Sequence, residues 1–339
     1  MKYRFLLAFL LCCFCLRLSA QQEAEKNEPI NDWVQDTELE YEIIYDEPDS
    51  LNKLWVIFYP LYGELFASNT SFGYAGQLLY MHKKKWTFSL QARKAYSPRF
   101  DLALANGRER STVDNRLGNY HLFELGATYH LRDDTRMGTA KITPHKKNLS
   151  ERSRWASVPT HLKVPAQVRS IVGLRGGAYF WGTSFNASTI AEERGHRFVS
   201  ASGDSLPASE QAYTTMASQG FFLGSSWTQI RNIFIRPNDY EASNNDHIFS
   251  LYADILVAPF VQIAPIEKNG QVYPADFRGH RLGFRLGAQG LFNRAFGWAY
   301  KLETGYRPAL AQRGFYAQAQ IGIAIGSRLR VRRDAYLAH

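Results

Sequence analysis

Beyond residue 15 the chain has no cysteine, because Cys12, Cys13 and Cys15 are the only 3. Disulfides therefore take no part in the body of the protein, which excludes a small cross-linked secreted domain. Past residue 20 there is no apolar run long enough for a membrane helix, so a helical bundle in a bilayer is excluded as well. A membrane β-barrel is not, since only every second residue of its strands meets lipid. Gly-x-Ser-x-Gly and the glycine-rich phosphate loops are absent, and no internal repeat stands out.

What is present begins with the N-terminus. Lys2 and Arg4 precede an apolar stretch from Phe5 to Leu16, and Leu18-Ser19-Ala20 offers a small residue for cleavage before Gln21. Residues 1–20 read as a cleaved secretory signal peptide. Between Gln21 and Lys53 stand 11 acidic residues against Lys26 and Lys53, a net of -9. From Leu54 onward 35 Lys and Arg face 20 Asp and Glu, a net of +15. The acidic stretch is expected to be a solvated periplasmic leader, or a short strand around Leu39–Tyr45 that docks on a basic surface of this chain or of a partner. Export and the lack of a basic helix argue against nucleic acid as the partner of the basic body.

The body is dominated by period-two alternation, the mark of strands. Phe284 and Leu286, then Phe296, Trp298, Tyr300 and Leu302, then Phe315, Ile321, Ile323 and Ile325 form one face of a three-strand meander between Gly279 and Gly326. Arg, Lys, Glu and Gln occupy the other face. Similar runs lie at 54–66 (with a bulge or an early boundary expected at Pro60), 71–81, 86–93, 119–131, 168–181, 220–235 (with a phase slip near Gln229 that suggests a bulge) and 247–260. The total is about ten strands, or twelve if 133–165 and 220–235 each hide another.

Runs of 11–14 residues exceed ordinary globular strands and suit a tilted membrane crossing. Aromatics gather near strand ends (Tyr120, Tyr129, Trp181, Phe292, Phe296, Trp298, Tyr306, Phe315), as an interfacial girdle requires. Short turns alternate with long loops at 99–118 and 182–218, although the long connection at 133–165 breaks the pattern. The expected fold is all-β, an antiparallel transmembrane β-barrel over 54–332 with a polar lumen and a basic tail at 333–339. Closing it requires the Phe315 strand to pair with the one near Leu54.

On the polar faces, Arg93, Arg169, Arg175, Arg281, Arg285, Lys301 and Arg307 are expected to point into the lumen, with Glu124, Asp254 and Glu303 as counter-charges. Such a set either fills a narrow barrel with ion pairs or lines an anion-selective channel. Metal and catalytic sites find little support. His121 and His130 have opposite parity on one strand. In Asp246-His247 followed by Ser250, His247 shares parity with Phe249 while Ser250 faces the other way, so no nucleophile–base contact follows from one strand. No cofactor is expected.

With its signal peptide ending Leu18-Ser19-Ala20-Gln21, its alternating strands and its Phe315–Gly326 strand, the chain resembles Gram-negative outer-membrane β-barrel proteins in general. The likeness is one of pattern, without a diagnostic motif. Many such proteins end their last strand on a C-terminal aromatic, whereas this chain continues through Arg328, Arg330, Arg332 and Arg333 to His339. The resemblance implies an outer-membrane location, lipid as the surrounding partner, and a structural, binding or transport role. Envelope partners would be met through the acidic leader or the long loops.

Overall fold

The computed structural model describes residues 40–49, 51–82, 85–144, 162–238, 240–277 and 279–327. The signal segment, most of the acidic leader and the arginine-rich tail lie outside these residues. Fifteen strands follow one another as β1 (Tyr41–Asp46), β2 (Lys53–Phe66), β3 (Asn69–His82), β4 (Trp86–Ala95), β5 (His121–Ile142), β6 (Leu162–Asn186), β7 (Tyr213–Arg231) and β8 (Ile233–Pro237). The series continues with β9 (Ser243–Asn245), β10 (His247–Ile263), β11 (Ile266–Lys268), β12 (Gln271–Tyr273), β13 (Leu282–Phe292), β14 (Phe296–Tyr306) and β15 (Phe315–Gly326). Among the described residues two α-helices interrupt them, α1 (Leu102–Arg110) and α2 (Ala187–Arg194).

Ten strands close into one antiparallel barrel in the order β10-β13-β14-β15-β2-β3-β4-β5-β6-β7. The closing seam joins β15 to β2, from Tyr316 opposite Phe66 to Gly326 opposite Trp55, as the alternation demanded. Closure leaves no barrel strand with an unpaired edge, which removes the main hazard of so much β structure. The bulge expected at Pro60 is present as a register shift between Tyr59 and Tyr62. It flips the side-chain phase of β2. Trp55, Ile57 and Tyr59 point inward before it, and Tyr62, Glu64 and Phe66 after it.

Outside and inside differ as the sequence predicted for the meander. Phe296 is 66% exposed and Trp298 64%, while Arg285 is 3% and Lys301 4%. A water-soluble sheet has the reverse arrangement, because charged groups are almost never buried unless paired. Two of the aromatics assigned to the girdle are instead inside: Tyr120 and Trp181 are fully buried. They pack with Tyr62, Phe66 and Phe185, and with Phe198, Leu206, Phe277 and Leu310 from the loops, to fill the loop end. A second apolar cluster toward the chain-terminal end includes Trp55, Ile57, Tyr59, Ile171, Ile230 and Leu291.

Several elements depart from the sequence reading. The 99–118 loop holds α1, capped where the Asp101 carboxylate accepts from the Leu104 amide at 3.2 Å. The 182–218 insertion holds the end of β6, α2 and the start of β7. The bulge expected near Gln229 is absent, since β7 pairs without a break through that position with both β6 and β10. The region 133–165 is no simple loop, for β5 continues to Ile142 and β6 starts at Leu162. Past His130, β5 has left β4 and pairs with β6 alone. This two-stranded ribbon projects from the chain-terminal end by roughly 35 Å at about 3.3 Å per residue.

A small sheet, β1-β8-β9, packs on the ribbon through Ile233 and Ile235 against Ala140, Ile142, Val164 and Ala166. The leader thus does form a short strand, and it docks on this chain itself. Two acids fix it there. The Asp46 carboxylate accepts from the Gln167 amide at 2.7 Å, and Asp49 accepts from the Thr135 hydroxyl at 2.7 Å. Burial raises the Asp46 carboxyl above its ordinary value, opposed by the Gln167 hydrogen bond.

Arg169 holds the base of the ribbon. Its guanidinium is fully buried and donates to both oxygens of Asp133 at 2.7 and 2.6 Å, with Asp49 at 3.6 Å. Arg169→Met leaves Asp133 without its main partner. The expected result is local opening: protease cuts the ribbon between Arg132 and Gln167 while the barrel keeps its folded mobility on a gel. Loss of the barrel itself in this variant would show that ribbon and barrel unfold as one unit.

Candidate functional site

The middle of the barrel interior is a layer of charged and amide side chains, placed by the alternation of nine strands. Their register makes many of them direct cross-strand neighbours. Asp254 lies opposite Arg285, Gln77 opposite Gln91, Gln91 opposite Glu124, Lys301 opposite Gln320 and Glu303 opposite Gln318.

Arg285 is the hub. It donates to Asp254 at 2.6 Å and to Glu124, approaches Glu303 at 4.0 Å, and lies 4.3 Å over the Phe222 ring. Arg175 reaches the other oxygen of Asp254 at 3.1 Å and stacks 4.0 Å over Tyr252. Glu303 accepts from the hydroxyls of Tyr252 and Tyr316, each at 2.8 Å, with Arg93 and Lys301 both at 3.6 Å. Arg93 donates to Gln318 at 2.6 Å and Gln91 at 3.0 Å, and Lys301 donates to Gln91 at 2.8 Å. Nearer the loops Arg307 grips Glu64 with two bonds of 2.7 and 3.0 Å, and Glu64 also accepts from Tyr62 and Tyr120.

Of the ten charged residues singled out from the sequence, eight meet in this layer: Arg93, Glu124, Arg175, Asp254, Arg285, Lys301, Glu303 and Arg307. Arg169 is buried too, but at the base of the ribbon and apart from them. Arg281 is exposed at the rim, one residue before β13 begins, where strand alternation no longer fixes a side chain's direction. Glu64 was missed. It sits in an apolar run, and only the phase flip at Pro60 turns it inward. Counting Glu64, the layer has five cations and four carboxylates, a net of +1.

A cavity of about 70 Å³ adjoins the layer on its chain-terminal side, lined by Gln91, Glu124, Arg175 and Lys301 together with Ser, Thr and Gln side chains. A concavity of about 690 Å³ has another character. It is a dent in the outer wall, between Trp227, Leu251, Leu286 and Leu302, where Ser225, Ala253 and Ala288 leave room.

The residues weighed for catalysis stay apart. His247 packs outside on Phe292 and Tyr300, while Ser250 faces inward and bonds Thr228 at 2.8 Å. His121 stacks outside on Phe180, and His130 contacts Thr87 within the barrel at 2.9 Å. The parity argument for both pairs agrees with these positions.

No family model and no curated protein matches the chain. Solved structures to which it is similar include the NanC porin, with a TM-score of 0.25 and 9% identity over 82% of this chain and 100% of that one. OprB of Pseudomonas putida gives 0.22 and 9% over 85% and 94%, and the P. putida toluene transporter TodX gives 0.19 and 8% over 81% and 88%. Superpositions this loose carry no functional weight.

Proposed function

We propose that the protein is an outer-membrane β-barrel of a Gram-negative envelope, with a structural or binding role and an interior filled by ion pairs. The observation that carries this reading is the inside-out barrel, with apolar side chains turned outward around a closed wall and charges turned inward. In a bilayer every backbone group of a spanning segment must be satisfied internally, and a closed barrel achieves this. On this reading residues 1–20 direct export, the rim with Lys53 and Gly326 faces the periplasm, and α1, α2 and the β11–β12 hairpin face outward. Lipid surrounds the wall, and an envelope partner would meet the outer loops or the rest of the acidic leader.

The filled interior favours binding or structure over an open anion channel. The charge excess of the central layer is a single cation, and the loop end is packed with aromatic and aliphatic side chains. Two measurements test the proposal. The protein should fractionate with outer membranes and show heat-modifiable migration, and a form that stays in solution without detergent would sink the barrel reading. Reconstituted in planar bilayers it should be electrically silent. Steady anion-selective conductance would replace the filled-barrel reading with the pore.

A further inference from the structure

We infer that the outer wall binds one anionic lipid, with its phosphate at Lys94 and an acyl chain over Gly76 and Ala92, a site that rests on the membrane-barrel reading. Charge points to the place. Along the outward faces of β2, β3, β4, β13, β14 and β15, Lys94 is the only Asp, Glu, Lys or Arg side chain among the described residues. It is exposed, and no described carboxylate pairs with it. A charge on the lipid face is unfavourable in mid-membrane and tolerated near the headgroups. An anionic headgroup is the counter-charge that a cation meets there.

Height agrees with this assignment. Lys94 follows Trp86 by eight residues on the same face of β4. That separation is roughly 26 Å of strand at about 3.3 Å per residue, against an apolar band about 25 Å tall. Strand tilt shortens the rise, and the flexible lysine stem covers the difference by reaching toward the headgroups. Arg99, exposed in the turn Pro98–Phe100 beyond the end of β4, adds a second cation on the same side.

Shape supplies room for the chain. The register sets Lys94 between Tyr74 of β3 and His121 of β5. On the β3 side the rings run in series: Phe58 lies 6.5 Å from Tyr74, Tyr74 5.8 Å from Tyr96, and Tyr96 5.7 Å from Phe100. On the β5 side His121 lies 5.2 Å from Phe180. One row toward mid-membrane, Gly76 and Ala92 are cross-strand neighbours, and a Cβ at Gly76 would meet nothing within 4 Å. Rings therefore flank a furrow whose floor carries almost no side chain, and a cation stands at its outer end. A phosphate joined to an alkyl chain matches both parts.

The test uses the full mature chain in neutral detergent, with phosphatidylglycerol as the probe. Added phosphatidylglycerol should raise the melting temperature, and native mass spectrometry should show a single lipid retained per barrel. Diacylglycerol, which lacks the phosphate, and inorganic phosphate, which lacks the chains, should do neither. Lys94→Gln should weaken binding about fivefold, the effect of one lysine at an anionic lipid surface. Gly76→Val keeps the charge but fills the furrow, and should weaken binding too. Arg281→Gln, beside β13 on the opposite wall, should leave it unchanged. Heat-modifiable migration of each protein reports separately that the barrel is folded, so loss of the lipid effect alone leaves the barrel reading standing. An equal response to inorganic phosphate overturns the inference. So does undiminished binding to folded Lys94→Gln or Gly76→Val, or an equal loss in Lys94→Gln and Arg281→Gln, the mark of bulk surface charge.

Discussion

Arg285→Met should cost about 3–5 kcal/mol of barrel stability, the range for removing one partner of a buried ion pair. The substitution keeps most of the side-chain volume and deletes the charge that holds Glu124 and Asp254 together. Asp254 retains Arg175, whereas Glu124 loses its direct cationic partner. The penalty should therefore fall mainly on Glu124. Arg285→Met combined with Glu124→Gln should recover most of the loss, because a neutral amide needs no counter-charge. Arg313→Ala is the control. It breaks a partly exposed pair with Glu193 at the loop rim and should change stability by less than about 1 kcal/mol. Denaturant unfolding of the refolded protein, followed by tryptophan fluorescence, reads all three. A loss below about 1 kcal/mol in Arg285→Met would mean that water screens the layer, and that result would favour an open pore over a filled barrel.

Much of the architecture could be read from the sequence wherever alternation runs without interruption. From Leu282 to Gly326 the strands carry no bulge among themselves, so inward and outward positions hold their phase over three strands. The eight charges of the central layer were legible for the same reason. Glu64 was not, since a single extra residue at Pro60 exchanges the faces of β2. The ribbon was also hidden. Past Leu131, much of β5 is exposed on both faces, so its polar and apolar residues cease to alternate. The helices α1 and α2 are short and lack an apolar stripe; their caps, Asp101 and Asn186, are visible only once the loops are folded over the barrel. Three-dimensional pairing, not composition, separates the interior Tyr120 and Trp181 from the outer aromatics.

The seam between β15 and β2 yields the most discriminating test of closure. Gly322 lies within the register shift between Ile321 and Ile323, where the two strands approach closely. A Cβ added there would sit 2.2 Å from the Phe58 carbonyl oxygen and 2.7 Å from the Tyr59 Cα, both backbone atoms that cannot rotate away. Gly322→Val must push the first and last barrel strands apart. The expected cost is about 1–3 kcal/mol or more for overpacking, and it falls on the contact with the greatest sequence separation in the barrel. Contacts of that kind form late and slowly. The ratio of refolded, heat-modifiable protein to unfolded protein should drop about tenfold for each ~1.4 kcal/mol lost, with unclosed chains left sensitive to protease. Gly76→Val on the neighbouring β3 is the matched comparison. Its Cβ would meet nothing within 4 Å and would point to the outer face, so refolding should be unchanged or improved by the added β-branched side chain. If both variants refold equally well, the barrel is not held shut by the β15–β2 pairing. If both fail, the outer face at Gly76 is covered by something other than lipid.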